Sequence, residues 1–254
     1  MDNSRYFMII KKFIAKCGIK AIDFKPFKEG YVNNLFLIRT KKEKLVLKIY
    51  KFTRKTKDIS SELKFIKFLD KKGFPVPTPI KIGNTEVIKH NGERLVFFRY
   101  LDGNKKELNK LNEKELKNLI KTVARMHKAV KSLKINNIKP RRDMFTFNFE
   151  DFVFPFLKKR KTTFPDYMVK MSEIKDNLKK AIAPQAKYFD SIIIHNDLSK
   201  DNLKFKNNKL AAILDFDDFC KGSKISDIAN MLLDICIVNK SVDFKKVSRL
   251  LKIY

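Results

Sequence analysis

The chain has 254 residues, 44% of them hydrophobic, which is enough to bury a core in one domain or two lobes, and no apolar run reaches the length of a membrane span. Its three cysteines (17, 220, 236) and three histidines (90, 127, 195) are scattered, which excludes a disulfide framework and a zinc site and suits a reducing, cytoplasmic setting. A formal charge of +29 raises the question of a polyanionic partner.

The N-terminal MDNSRYFMIIKKFIAKCG has no signal-peptide cleavage pattern; Phe7, Ile10, Ile14 and Cys17 repeat at helical spacing, with Asn3 or Ser4 as cap and Gly18 as stop. Ala21 to Phe27 reads as a strand, and NNLFLIRT and EKLVLKIYK as two more joined by a charged turn. A helix follows from about Asp58, with Leu63, Ile66 and Leu69 on one face and Gly73 as terminator; the prolines of FPVPTPI then force an extended link. TEVIKHNGERLVFFRY is a hairpin around Asn91-Gly92, the pair a type I′ turn wants. YLDGNKKEL is a hinge or linker. Beyond it, Asn112 and Glu115 form a capping pair ahead of a helical stripe of Leu116, Leu119, Val123, Met126 and Val130. MFTFNFEDFVFPF carries Phe at alternate positions and reads as a core segment, and a further helix is expected over 165–182, stopped by Pro184.

Residues 191–205, SIIIHNDLSKDNLKF, place a short buried strand directly before a loop crowded with Asp and Asn, residues that favour turns. A second hairpin follows, with runs Leu203 to Phe205 and Leu210 to Leu214 around Asn207-Asn208-Lys209. A turn at Asn208-Lys209 sets Asn202 opposite Asp215, and Asp197 lies five residues earlier on the same loop. Three oxygen-bearing side chains therefore converge. Magnesium takes such ligands, one or two carboxylates completed by phosphate oxygens and water, and a spare Asp beside a metal-bound phosphate can accept a hydroxyl proton. Helical stretches run from about 225 to the end.

HNDLSKDN followed by ILDFDD resembles the catalytic and metal-binding motifs of the protein-kinase-like phosphotransferases, in the branch holding aminoglycoside phosphotransferases, choline kinases and type II homoserine kinases. The resemblance runs from about residue 28 to 240. It implies an α+β, two-lobed protein-kinase-like fold: a nucleotide-binding lobe over 1–100 built on a small antiparallel sheet, and a mainly helical catalytic lobe over 101–254. It also implies ATP and Mg²⁺ as cofactors, Asp197 as catalytic base, Asn202 and Asp215 as magnesium ligands, and His195 as a brace for the loop. Gly30 and Asn33, in EGYVNN, would belong to the nucleotide-positioning loop. Lys48 would meet phosphate oxygens and pair with Glu62 of the following helix, and Arg99, Tyr100 and Leu101 would form the adenine-binding hinge. His127, in ARMHK, and Asp227, in KISDIANML, match positions read as structural.

The sequence departs from the family pattern at three places. Asn196 stands for the usual Gly, Lys200 stands where Pro is common and would reach the γ-phosphate or face water, and Asp217-Asp218 stand where protein kinases carry the Gly of D-F-G. With no A-P-E segment, the acceptor is expected to be a small alcohol rather than a protein, homoserine-like first, with choline, a sugar or an aminoglycoside as alternatives. The resemblance implies further helices past the position of Tyr254 that wall the substrate site, so either a short form or a fragment of the catalytic lobe is expected. Lys greatly outnumbers Arg and is spread along the chain, with only FLKKRKTTF locally dense, so the charge reads as a solvated surface. An inactive kinase-like protein binding nucleotide or nucleic acid is the different-class alternative; intact Asp197, Asn202 and Asp215 speak against it. Neither oligomeric state nor pathway is expressed in the sequence.

Overall fold

A computed structural model of the chain describes residues 3–27, 33–135, 138 and 191–254 apart from 239–240. Gly30 and the Phe-rich stretch lie outside them, as does most of the 165–182 segment, whose described positions 173, 176, 177 and 180 are helical. Helix α1 (Asn3–Lys16) is followed by β1 (Asp23–Pro26), β2 (Asn34–Arg39), β3 (Lys44–Tyr50), α2 (Thr56–Lys71), β4 (Pro79–Ile80), β5 (Ile88–His90) and β6 (Glu93–Arg99). The strands form one antiparallel sheet in the order β1-β2-β3-β6-β4, with β5 also on β6. Asn91 and Gly92 turn the β5–β6 hairpin with φ of 48° and 80°, both in the left-handed region that a type I′ turn needs.

The two-residue period of β3 and β6 separates two environments. Leu45, Leu47, Ile49, Leu95 and Phe97 face α1 and pack with its Ile10, Phe13 and Ile14. Tyr50, Val96 and Phe98 face the other way and join the core around α2 (Ile59, Leu63, Ile66, Leu69). Lys48 lies on this second face and is buried with it.

Residues 101–105 cross from the sheet to the rest of the chain. Helix α3 (Glu113–Val130) opens with the expected capping box: the Asn112 side chain accepts from the Glu115 N–H at 2.9 Å, and the Glu115 carboxylate accepts from the Asn112 N–H at 3.1 Å. Its stripe of Leu116, Leu119, Val123, Met126 and Val130 is buried. Then come β7 (Ile192–Ile194), β8 (Leu203–Lys206), β9 (Lys209–Ile213), β10 (Cys220–Gly222), α4 (Lys224–Cys236), β11 (Ile237–Val238), β12 (Ser241–Val242) and α5 (Phe244–Ile253).

The second hairpin corrects one expectation. Its turn residues are Asn207 and Asn208, with φ of 52° and 59°, not Asn208-Lys209. A bulge between Lys204 and Phe205 shifts the register, setting Leu203 opposite Ile213. The Leu214 N–H then donates to the Asn202 carbonyl at 2.8 Å, so Asn202 comes beside Leu214, one residue short of the expected Asp215.

Candidate active site between sheet and hairpin

The loop after β7 is held by backbone donors pointing at one buried carboxylate. Asp227, in the first turn of α4, accepts from the N–H groups of His195 at 3.0 Å and Asn196 at 2.6 Å. It is also bonded by His127 Nε2 at 2.9 Å, and His127 Nδ1 bonds the Tyr254 hydroxyl at 2.7 Å. Asn196 has φ of +71°, which explains an Asn where the family pattern has Gly: both tolerate the left-handed region.

His195 is fully buried. Nε2 donates to the Leu214 carbonyl at 2.9 Å and Nδ1 accepts the Asp197 N–H at 3.2 Å. It therefore ties the loop to β9 and aims Asp197, and acts as a positioning residue. Asn202 Nδ2 donates to Asp197 Oδ2 at 2.7 Å and to its carbonyl at 3.0 Å. Asp215, immediately after Leu214, has φ of +56°, a strained conformation for a non-glycine of the kind that collects at functional sites. Asp197, Asn202 and Asp215 are thus brought together.

Across the cleft, Lys48 Nζ lies 3.3 Å from Glu62 Oε1, the expected pair, and 3.4 Å from Asp215 Oδ1. Glu62 is further held by the Tyr50 hydroxyl at 2.9 Å and Arg54 at 3.1 Å. Lys48 also bonds Asp217, which in turn accepts from Asn33 Nδ2. Burial works against the Lys48 ammonium, but Glu62, Asp217 and Asp215 outweigh it and hold its pKa well above the ordinary lysine value. Asp217 is buried too, yet Lys48 draws its carboxyl below the usual range. Asp218 moves the other way: burial, then the charges of Asp217, Asp215 and Asp197, push it up. Asp217, Arg54 and Tyr50 were not singled out as site residues from the sequence. The carboxylate was visible as the third residue of D-F-D, whereas Arg54 sits in a basic loop with nothing to distinguish it from its neighbours.

Asn33 thus meets the site through Asp217, while Gly30 lies outside the described residues. Of the three residues expected to form a hinge, the Arg99 N–H donates to Thr78 O at 3.0 Å, the Tyr100 N–H to Lys44 O at 3.1 Å, and Leu101 O accepts from Lys204 Nζ at 3.0 Å. Asn104 exchanges backbone bonds with Phe205 at 3.0 and 2.8 Å, docking the linker on β8. The Lys200 ammonium is turned outward to Glu107 at 2.8 Å, in an exposed ion pair away from Asp197.

The oxygens of Asn202 and Asp215, with Asp197 beside them, are the hard donors magnesium takes. Among the described residues no group of three or more His, Cys, Asp and Glu is arranged to hold a metal alone. Magnesium rarely asks for one, since it keeps waters and shares substrate phosphates.

Residues 23–241 match the model of the phosphotransferase enzyme family. A curated relative, the homoserine kinase of Agrobacterium fabrum (strain C58 / ATCC 33970), is 22% identical over 237 residues, covering 89% of this chain and 69% of its own length. Among solved structures, an amicoumacin kinase in complex with AMP-PNP, Ca²⁺ and Ami superposes with a TM-score of 0.72 at 20% identity, over 100% of this chain and 77% of its own. An ADP-bound aminoglycoside phosphotransferase gives 0.67 at 23% identity over 100% and 82%. The choline kinase of Streptococcus pneumoniae gives 0.67 at 15% identity over 97% and 79%. These likenesses bear out the expected α+β, protein-kinase-like fold. With the family model spanning most of the chain and the loop, hairpin and Lys48–Glu62 pair in its motif order, the chain belongs to the phosphotransferase enzyme family.

Proposed function

We propose that the chain moves the γ-phosphate of ATP, with Mg²⁺, to a hydroxyl of a small metabolite, a homoserine-like amino-alcohol in the first instance. The observation that carries this reading is the juxtaposition of Asp197, Asn202 and Asp215 with the buried Lys48–Glu62 pair. Asp197 has one oxygen tied by Asn202, while Oδ1 makes no hydrogen bond among the described residues and is the atom that would take the acceptor proton. Lys48 donates to phosphate oxygens, and Glu62, Tyr50 and Arg54 keep it and α2 in place. Asn202 and Asp215 would hold Mg²⁺, which when bound supplies neutralisation of phosphate charge. Catalysis is then positioning plus charge placement. The fold neighbours include choline and aminoglycoside kinases, so these acceptors are the second reading.

Thermal unfolding with ATP and Mg²⁺ on the wild type and on Asp215→Ala tests it. Nucleotide at a hundred times its Kd stabilises by about 2.7 kcal/mol, roughly 5–10 °C for a chain of this size. A metal-dependent shift lost in the variant, followed by ADP release with one member of a panel of homoserine, choline, sugars and aminoglycosides, is the expected result. Absence of a shift in both proteins overturns it.

A further inference from the structure

Five of the nine large apolar side chains that stand exposed among the described residues lie between positions 233 and 251: Leu233, Ile237, Val242, Phe244 and Leu251. The fold gathers them. Leu233 lies four residues before Ile237 at the end of α4, and Ile237 stands opposite Val242 in the β11–β12 pair, which sets those two side chains on one face. The Asp243 N–H donates to Cys236 O at 2.9 Å and Lys246 Nζ to Ile235 O at 3.1 Å, fastening α5 to the same place. Phe244 and Leu251 are seven residues apart on α5 and so share one edge of it, 76% and 47% exposed.

The border of that edge is cationic. Helix α5 carries Lys245, Lys246, Arg249 and Lys252 and no carboxylate. Arg249 is taken by Glu113 in a two-pronged pair at 2.6 and 2.9 Å, on the side of α3. Lys245 and Lys252 make no ion pair among the described residues; also seven residues apart, they form an exposed row beside the apolar one. The nearby carboxylates are engaged elsewhere: Asp243 accepts the Lys246 N–H at 2.9 Å as N-cap, and Asp234 accepts the Lys200 N–H at 3.4 Å. An apolar row with lysines along it matches the boundary of an anionic bilayer. The apolar side chains enter below the headgroups, and the lysine stems lie along them with the ammonium groups on lipid phosphates. A second copy of the chain is a poorer occupant, because a two-fold contact would set the two lysine rows face to face between chains that each carry +29.

We propose that the outer edge of α5, with the β11–β12 pair, docks the protein on the surface of membranes that contain anionic lipid. No helix among the described residues is long and apolar enough to cross a bilayer, so the contact is interfacial. The full chain is sedimented with vesicles of phosphatidylcholine and with vesicles of equimolar phosphatidylcholine and phosphatidylglycerol, without nucleotide, so the outcome does not depend on the phosphotransferase reading. The wild type should bind the second vesicles and not the first. Phe244→Ser/Leu251→Ser and Lys245→Gln/Lys252→Gln should each weaken binding about tenfold or more, whereas Lys41→Gln/Lys42→Gln, which removes the same charge from the β2–β3 turn, should change it less than about threefold. Lipid-free melting confirms that each variant is folded. The chain has no tryptophan, so Phe244→Trp supplies a single reporter, whose emission should shift to the blue and be quenched by brominated lipid on the anionic vesicles. Failure to bind either vesicle overturns the proposal, as does unshifted Phe244→Trp emission on bound vesicles. Equal losses in the two lysine pairs with none in Phe244→Ser/Leu251→Ser overturn it in favour of a general attraction of the charged surface. A lipid-free dimer that Phe244→Ser/Leu251→Ser splits, read by light scattering, overturns it in favour of a second copy.

Discussion

Asp218 shows how closely charge is balanced in the cleft. Burial and the neighbouring carboxylates of Asp217, Asp215 and Asp197 raise its pKa above the unfolded value. A raised carboxyl contributes stability that is fully present below its unfolded pKa and is lost as pH rises through the folded one. Ionised Asp218 is therefore a cost at neutral pH, and Asp218→Asn should melt about 1–2 °C above the wild type at pH 7, a small figure because the group is part solvated. The difference should vanish below the ordinary carboxylate range, where both side chains are neutral; a melting series from pH 3 to 8 reads it. At this scale the sequence was informative where residue type and spacing coincide. Asp197, Asn202 and Asp215 were legible because they sit within a loop and a hairpin that bring them together locally. The contacts of Asp217 with Lys48 and Asn33 were not, since they join positions 169 and 184 residues apart. Lys200 illustrates the opposite case: a plausible position in the loop, with a side chain drawn to Glu107 by an exposed charge pair.

Among the elements, the linker after β6 is fixed directly on β8 by the Asn104–Phe205 backbone bonds. Gly103 has φ of +134°, and a Cβ there would meet Lys204 Cβ at 3.1 Å, Ala211 Cβ at 3.2 Å and Phe205 O at 3.3 Å. Gly103→Ala must strain the backbone or open the Asn104–Phe205 bridge, at about 1–3 kcal/mol. It should lower Tm by several degrees and weaken nucleotide affinity together, which melting with and without Mg·ATP separates from a purely local change. Hairpins were legible when their turn residues left one choice: Asn91-Gly92 did. Asn207-Asn208-Lys209 offered two, and the bulge at Lys204/Phe205 that settles the register has no signature in residue type. The pairing of β7 with β10 joins two three-residue strands separated by the whole hairpin, too short for any periodicity to announce it.

The whole molecule divides in two ways. In sequence, the sheet of β1 to β6 ends at Arg99 and the later elements, helices with short strand pairs, follow. The apolar cores divide elsewhere: α1 and one face of the sheet form one cluster, while α2, the other face of the sheet, α3, β7–β9 and α4 share a second. Helix α2 is thus continuous in packing with the elements that carry Asp197 and Asp215. Native-state hydrogen exchange should group the amides of α2 with those of α3, and the amides of β1 and β2 with α1. Exchange of α2 in step with β1 would contradict this division. Fold class was readable because motif order and strand–helix alternation agree. The sharing of the core was not, because it depends on which face of each strand meets which helix.

The burial of Lys48 also separates the protein's two uses of lysine. It is 7% exposed and tethered to Glu62, Asp215 and Asp217, whereas lysines such as Lys206 pair at the surface with more than half of the side chain open to water. An amine-directed label consumes accessible, uncharged amines first, so limited acylation would strip the outer positive charge while leaving the buried Lys48 ammonium unmodified. The electrostatic reach of the chain and its chemistry can in this way be titrated apart on one and the same sample.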